Sequence, residues 1–139
     1  LVRERRGVRW YNDSIASSPS RTIAGLRSFR EKVILIAGGK DKGVSYAPLG
    51  PEVNEHAKLL ILCGATEGVI REAVMAADNY RGMEILTAGD YPEAVRLADE
   101  RSKEGDVVLL SPASTSFDRF RNFEERGHVF RDLVNALPE

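Results

Sequence analysis

At 139 residues and 42% hydrophobic content, the chain has the size of one domain and enough apolar side chains to bury its own core. A formal net charge of −1 argues against the broad basic face of a dedicated nucleic-acid binder. A single cysteine, Cys63, excludes an internal disulfide and a cysteine zinc cluster.

That cysteine ends the apolar run Leu59-Leu60-Ile61-Leu62, reads as a small buried hydrophobe, and suits a reducing, cytoplasmic setting. No apolar stretch approaches the roughly 18 residues of a membrane span, and no signal peptide is visible, so no membrane partner is expected. The chain lacks an initiator Met and opens partway through an alternating segment, as a piece of a longer protein would.

Arg3, Arg5, Arg6 and Arg9, interrupted by Glu4, read as a solvated strand edge. Val8 to Tyr11 follows as a strand, the second arm of a hairpin turning near Arg6-Gly7. Pro19 opens a helical stretch with Ile23, Leu26 and Phe29; its missing N–H suits a helix start. Val33 to Ala37 is a continuous apolar run, the pattern of a strand covered on both faces. A glycine-rich loop, Gly38 to Gly43, leaves it. Leu49 to His56 is weakly helical, Leu59 to Leu62 is a strand, and Thr66 precedes a helix carrying Val69, Ile70, Ala73, Val74 and Ala77. Met83 to Leu86 is a short strand, Tyr91 to Lys103 a helix, and Val107 to Leu110 the last strand. A final helix is predicted from about Phe117 to Leu137. Strands alternating with helices imply an α/β fold: one domain over 1–139, with a mostly parallel sheet and helices on both faces.

In such a sheet, ligands bind beyond the carboxyl ends of the strands, and three polar loops leave those ends. Asn12-Asp13-Ser14 combines a carboxylate with amide and hydroxyl groups; Ser17 or Ser18 suits an N-cap before Pro19. Gly38 and Gly39 allow close backbone approach, and Lys40 and Lys42 add charge for an anion. The cluster Ser111, Ser114, Thr115 and Ser116 precedes the last predicted helix, whose N–H groups favour a carboxylate or phosphate. Each loop also has a plain reading as a turn or cap, and Phe117, Phe120 and Phe123 recur at core-packing spacing. His56 and His128 lack metal-ligand spacing, and no Walker loop, G-x-G-x-x-G, G-x-S-x-G, H-E-x-x-H or C-x-x-C occurs. The residues alone support an α/β domain that binds a small anion.

Three segments together carry a resemblance. They are Tyr11-Asn12-Asp13-Ser14-Ile15-Ala16-Ser17-Ser18-Pro19, Gly38-Gly39-Lys40-Asp41-Lys42-Gly43, and Leu110 to Asp118 with Asn122-Phe123-Glu124-Glu125-Arg126-Gly127. In order and spacing they resemble the C-terminal domain of the D-glutamate-adding branch of the Mur ligase family of peptidoglycan synthesis. The resemblance implies a Rossmann-like three-layer fold. It also implies ATP- and Mg2+-dependent amide formation, in which the carboxylate of UDP-N-acetylmuramoyl-L-alanine is phosphorylated and D-glutamate attacks the acyl-phosphate. This domain would bind D-glutamate and close over the nucleotide, while UDP-binding and central ATPase domains precede it; alone it would be inactive. By position, Ser17, Lys42, Ser116, Phe117 and Phe123 would contact D-glutamate, and Asp13 and Ser14 would face the nucleotide. Ile15 departs from the family, which often has lysine there, and that removes the contact such a lysine would make. The rival readings are a free-standing α/β module that senses an amino acid or small anion, and a subunit-contact domain without a ligand.

Overall fold

A computed structural model describes residues 1–41, 43–116 and 119–139. Its architecture follows from one strand, β3 (Val33–Ala37), in which no residue is more than 1% exposed. Five consecutive aliphatic residues can all be buried only in a central strand with both faces covered. β3 accordingly lies between β4 (Ala57–Leu62) and β6 (Val107–Leu110), parallel to both. β2 (Val8–Asn12) runs parallel to β6, and β5 (Glu84–Thr87) parallel to β4. β1 (Arg3–Arg5) closes the six-stranded sheet as an antiparallel edge, giving the order β1-β2-β6-β3-β4-β5.

Alternation along the strands sorts the core into two layers. Ile34, Ile36, Val108 and Leu110 face α4 (Tyr91–Arg101) and α5 (Phe123–Asn135), where Ala94, Ala98, Phe130 and Val134 meet them. Val33, Leu35, Val107 and Leu109 face the other way. There they meet α1 (Pro19–Leu26), α2 (Leu49–His56) and α3 (Glu67–Ala76) through Leu26, Leu49, Val53, Ile70 and Val74. The three-layer α/β fold with a mostly parallel sheet is thus present, and its five carboxyl-directed loops lie along one edge.

Two expectations are corrected. The last helix begins at Phe123, because Asn122 is extended (φ −164, ψ 175) and its side chain accepts from the Glu125 N–H at 2.8 Å. A residue that caps in this way ends the preceding irregular segment and starts the helix. The hydroxyl cluster is therefore not its cap. The arginine-rich start is also no solvated edge throughout. Arg5 is 5% exposed, paired with Asp99 of α4 and donating Nε–H to the Pro138 carbonyl. Arg3 donates to the carbonyls of Val134 (2.9 Å) and Leu137 (2.8 Å). The last carbonyls of a helix lack intrahelical partners, and β1 supplies cationic donors to those of α5. Smaller shifts put β5 one residue later than predicted and end α4 at Arg101.

Two glycines on neighbouring helices give opposite forecasts. A Cβ on Gly50 of α2 would overlap the Ala73 carbonyl oxygen of α3, whereas one on Gly68 of α3 would meet nothing within 4 Å. Gly50→Ala should destabilise the protein by about 1–3 kcal/mol through overpacking. Gly68→Ala, exposed within a helix, should stabilise it by roughly 0.5–1 kcal/mol. Urea unfolding midpoints of the two variants check both signs.

Candidate functional site

The carboxyl edge of the sheet is built by loops that hold one another. The loop after β2 meets the loop after β6 where Ala113 N–H donates to the Ala16 carbonyl (2.9 Å). The loop after β3 joins both neighbours: Gly38 N–H donates to the Pro112 carbonyl (2.9 Å), and Lys40 and Thr115 form a two-way backbone bridge. Thr66, before α3, donates its N–H to the Gly39 carbonyl at 2.9 Å. Gly38 (φ 114) and Gly39 are glycines because protein backbone approaches them. A Cβ would overlap the Cys63 carbonyl oxygen at Gly38 and the Thr115 carbonyl oxygen at Gly39. The close approach expected for a ligand is made by neighbouring loops.

The hydroxyl cluster serves the same interlock. Ser111 Oγ donates to Asp13 Oδ2 (2.8 Å) and lies 3.0 Å from Thr22 Oγ1. Ser114 Oγ lies 2.8 Å from Thr66 Oγ1 and 3.1 Å from the Tyr46 hydroxyl. Thr115 Oγ1 donates to the Lys40 carbonyl at 3.2 Å. Three of the four hydroxyls are therefore engaged between loops. Ser116, buried at 2%, contributes its carbonyl to the N–H groups of Arg119 and Phe120.

Arg126, on the first turns of α5 and 1% exposed, reaches into this interlock. Its Nε–H donates to Ser14 Oγ (2.9 Å), Nη1 to the Ser114 carbonyl (2.9 Å), and Nη2 to the Ser14 carbonyl (2.6 Å) and Ser17 Oγ (3.4 Å). A flat fork of five donors suits several acceptors converging from two loops. Ser14 Oγ in turn donates to the Phe123 carbonyl (2.7 Å), and Asn12 Nδ2 to the Gly127 carbonyl (3.3 Å). Sequence reasoning gave Arg126 no role, although it sits one and two turns before Phe130 and Val134 on an apolar stripe. A charge on that face was the available signal.

Ser14, Ser17 and Phe123 come together where the loop after β2 meets α5, while the Asp13 side chain turns toward Ser111 and α1. Ser14 is buried, and its hydroxyl is engaged internally. Ser17 and Phe123 line a hollow of about 340 Å³ with Ile15, Ser18 and Arg21. Asp13 lines an adjoining hollow of about 260 Å³ that shares Ile15 and Arg21. Burial pushes the Asp13 carboxyl above its ordinary range, opposed by the Ser111 hydrogen bond and by the Arg21 charge. α1 approaches this carboxylate closely: a Cβ on Gly25 would lie 2.7 Å from Asp13 Oδ2. Ser116 lies on the β6 loop, next to the bridge to Lys40. Lys42 and Phe117 fall outside the described residues. Phe120 packs edge-on against Tyr91 at 5.2 Å, while Phe123 is 36% exposed, so the predicted aromatic core stripe holds for the first of these two and not the second. A larger hollow, about 430 Å³, lies at the opposite end of the sheet among Lys32, Asn54, Lys58 and Arg81. No helix among the described residues is long and apolar enough to cross a membrane.

Comparison with known proteins adds a relationship. The family described as "Mur ligase, glutamate ligase domain" matches residues 1–114. The UDP-N-acetylmuramoylalanine--D-glutamate ligases of Ruminiclostridium cellulolyticum and Acetivibrio thermocellus are each 52% identical over 141 residues. Both alignments take in 99% of this chain, which spans about 30% of the relatives' length. Among solved structures, a murein peptide ligase from Psychrobacter arcticus superposes with a TM-score of 0.69 at 12% identity, covering all of this chain and 30% of that one. A UDP-N-acetylmuramoyl-L-alanyl-D-glutamate--2,6-diaminopimelate ligase gives 0.54 at 15% identity, over 88% of this chain and 29% of that one. These two share the fold.

The interlock and its carboxylate each make a forecast. Arg126→Met keeps the side-chain bulk but leaves the buried carbonyls of Ser14 and Ser114 without these donors. At about 1–3 kcal/mol for each buried group left unsatisfied, the loss should reach roughly 2–4 kcal/mol in denaturant unfolding. For Asp13, a raised folded-state value means that the charged form is disfavoured by the fold. Its contribution is fully present below the unfolded carboxylate range and is lost as pH rises through the folded value. Asp13→Asn should therefore raise the thermal unfolding midpoint at pH 7. That gain should shrink toward zero below about pH 3.9, where the parent carboxyl is protonated in both states.

Proposed function

The chain belongs to the Mur ligase family, as a glutamate ligase domain, and on that footing we propose that it is the amino-acid-binding part of an ATP-dependent D-glutamate ligase of peptidoglycan synthesis. The observation that best supports this reading is the interlock at the carboxyl edge. It brings the loops after β2, β3 and β6 together beside a hollow lined by Ser17 and Phe123. That is where an α/β sheet presents ligands, and Ser17 and Phe123, two of the residues matched to D-glutamate contacts, border it.

The work of this domain is orientation. An amide forms when the amine of the incoming amino acid is held against an activated carboxyl group, and holding it removes the entropy of encounter. D-glutamate carries two carboxylates, and the proposed grip is asymmetric. Lys42 supplies a point charge, Ser116 with the Phe117 backbone supplies directed donors, Ser17 adds a hydroxyl, and Phe123 an apolar wall. Ser17 Oγ accepts from Arg126, which leaves its own hydrogen available to donate.

ATP supplies the activation of the sugar-peptide carboxylate when bound. Among the described residues, no three His, Cys, Asp or Glu side chains converge as a metal-holding group. The donor set at the nucleotide-facing corner is also unlike a phosphate cradle. Asp13 presents a carboxylate, which accepts from a hydroxyl or amine and repels phosphate, and the Ser14 hydroxyl is engaged. In this reading ATP and Mg2+ are held by the ligase beyond this chain, as is UDP-N-acetylmuramoyl-L-alanine. The isolated chain hydrolyses no ATP, and the setting is the cytoplasm.

The test uses the full-length ligase that contains this chain. Lys42→Ala and Ser116→Ala should each lower kcat/KM for D-glutamate, Lys42→Ala by roughly ten- to a hundredfold, the loss of about 1.5–3 kcal/mol. The Michaelis constant for ATP should change little. Ser20→Ala, exposed on α1, is the control. D-glutamate kinetics within about twofold of the parent in both variants would remove these loops from the amino-acid pocket.

A further inference from the structure

The hollows at the carboxyl edge share a side chain that the sequence pattern did not assign. Ile15 is 51% exposed, uncommon for a large aliphatic residue, and it lines three adjoining hollows of about 340, 260 and 240 Å³. Arg21 lines the first two and is, among the described residues, the one cation lining either. It is exposed on α1 and donates to no described protein group, and its charge acts on Asp13 through space. Most arginines of this protein are committed otherwise: Arg27 to Glu52, Arg96 to Glu100, Arg121 to Glu125. A cation left facing a hollow with hydroxyls beside it and apolar walls around it is chemically suited to an oxyanion on a short carbon chain.

We propose that Arg21 is a binding residue of the amino-acid pocket, gripping a carboxylate of the incoming dicarboxylic amino acid over the Ile15 and Phe123 side chains. The inference rests on the reading above and adds to it a residue and a direction. Ser17 and Ser18 border the same hollow and supply hydroxyl donors to the second carboxylate oxygen. Ile15 and Phe123 cover the methylene carbons, which a carboxylic amino acid has and a polyphosphate lacks. That apolar wall decides between the two anions a ligase of this kind handles. Asp13, at the far end of the adjoining hollow, biases the site further against the more highly charged of them.

The experiment is steady-state kinetics of the full-length ligase, with D-glutamate and ATP varied separately. Arg21→Ala should raise the Michaelis constant for D-glutamate by about tenfold or more, with that for ATP within about twofold. Thermal midpoints will verify that the exposed substitution leaves the fold intact. Arg21→Lys keeps a cation over the same hollow and leaves the apolar wall in place. It should retain much of the D-glutamate affinity that Arg21→Ala loses, which no structural role of the arginine predicts. The proposal is overturned if Arg21→Ala leaves D-glutamate kinetics within about twofold, if the Michaelis constant for ATP rises instead, or if Arg21→Lys is as impaired as Arg21→Ala. Lys42→Ala and Ser116→Ala run in parallel separate the two claims. Loss of D-glutamate kinetics in those variants alone sinks the assignment of Arg21, whereas unchanged kinetics in all of them sinks the pocket itself.

Discussion

A buried guanidinium must have acceptors around it, and that requirement at Arg126 shapes the carboxyl edge of this domain. Desolvating a charge costs several kcal/mol, which converging hydrogen bonds have to offset. Here the acceptors are two backbone carbonyls and two hydroxyls from loops that leave different strands. Satisfying them fixes the loop after β2, the loop after β6 and the first turns of α5 relative to one another. The neighbouring glycines follow from this packing. A Cβ on Gly39 would overlap the Thr115 carbonyl and lie 3.4 Å from Arg126 Nη1, and one on Gly127 would lie 2.8 Å from Asn12 Nδ2.

The engaged groups define the available ones. Ser14, Ser111, Ser114 and Thr66 are buried and hydrogen-bonded to protein, so they build the frame. Each such bond is worth only about 0.5–1.5 kcal/mol net, but a buried partner left without one costs more, so the loops behave as a unit. What remains open around that hollow, among the described residues, is a small set: Ile15, Ser18, Arg21, Phe123 and the outer side of Ser17. Preorganised loops presenting few free groups suit the orienting role proposed for this edge.

The strands and the layer order were legible because their signal is local. Continuous aliphatic runs such as Val33–Ala37 and Leu59–Leu62 can be buried only between two layers of helix, and alternation of short strands with helices dictates the parallel sheet. The three loops at the carboxyl edge were legible from the strand ends they leave, but the partners that hold them together were not, since those interactions are long-range. Ser111 meets Asp13 across 98 positions, and Ser114 meets Thr66 across 48. A hydroxyl run before a helix looks like a cap when the partners are that far away in sequence. Arg5 misled for the same reason: a basic residue on an edge strand reads as solvated until a helix terminus and Asp99 cover it.

Asp13 shows how the frame and the open surface are coupled. The fold holds its carboxyl half-buried, and burial favours the neutral form, while the Ser111 hydroxyl and the Arg21 charge favour the ionised one. Ser111 is part of the interlock, because the same hydroxyl lies 3.0 Å from Thr22 Oγ1 and the Ser111 carbonyl accepts from Thr22 Oγ1 at 3.2 Å. Arg21 faces the hollow. One side of the balance is therefore set by the rigid frame and the other by a group open to ligand. On the proposed reading, an anion held at Arg21 would offset part of the positive charge that opposes the effect of burial on Asp13, so protonation of Asp13 and occupancy of that hollow would favour each other.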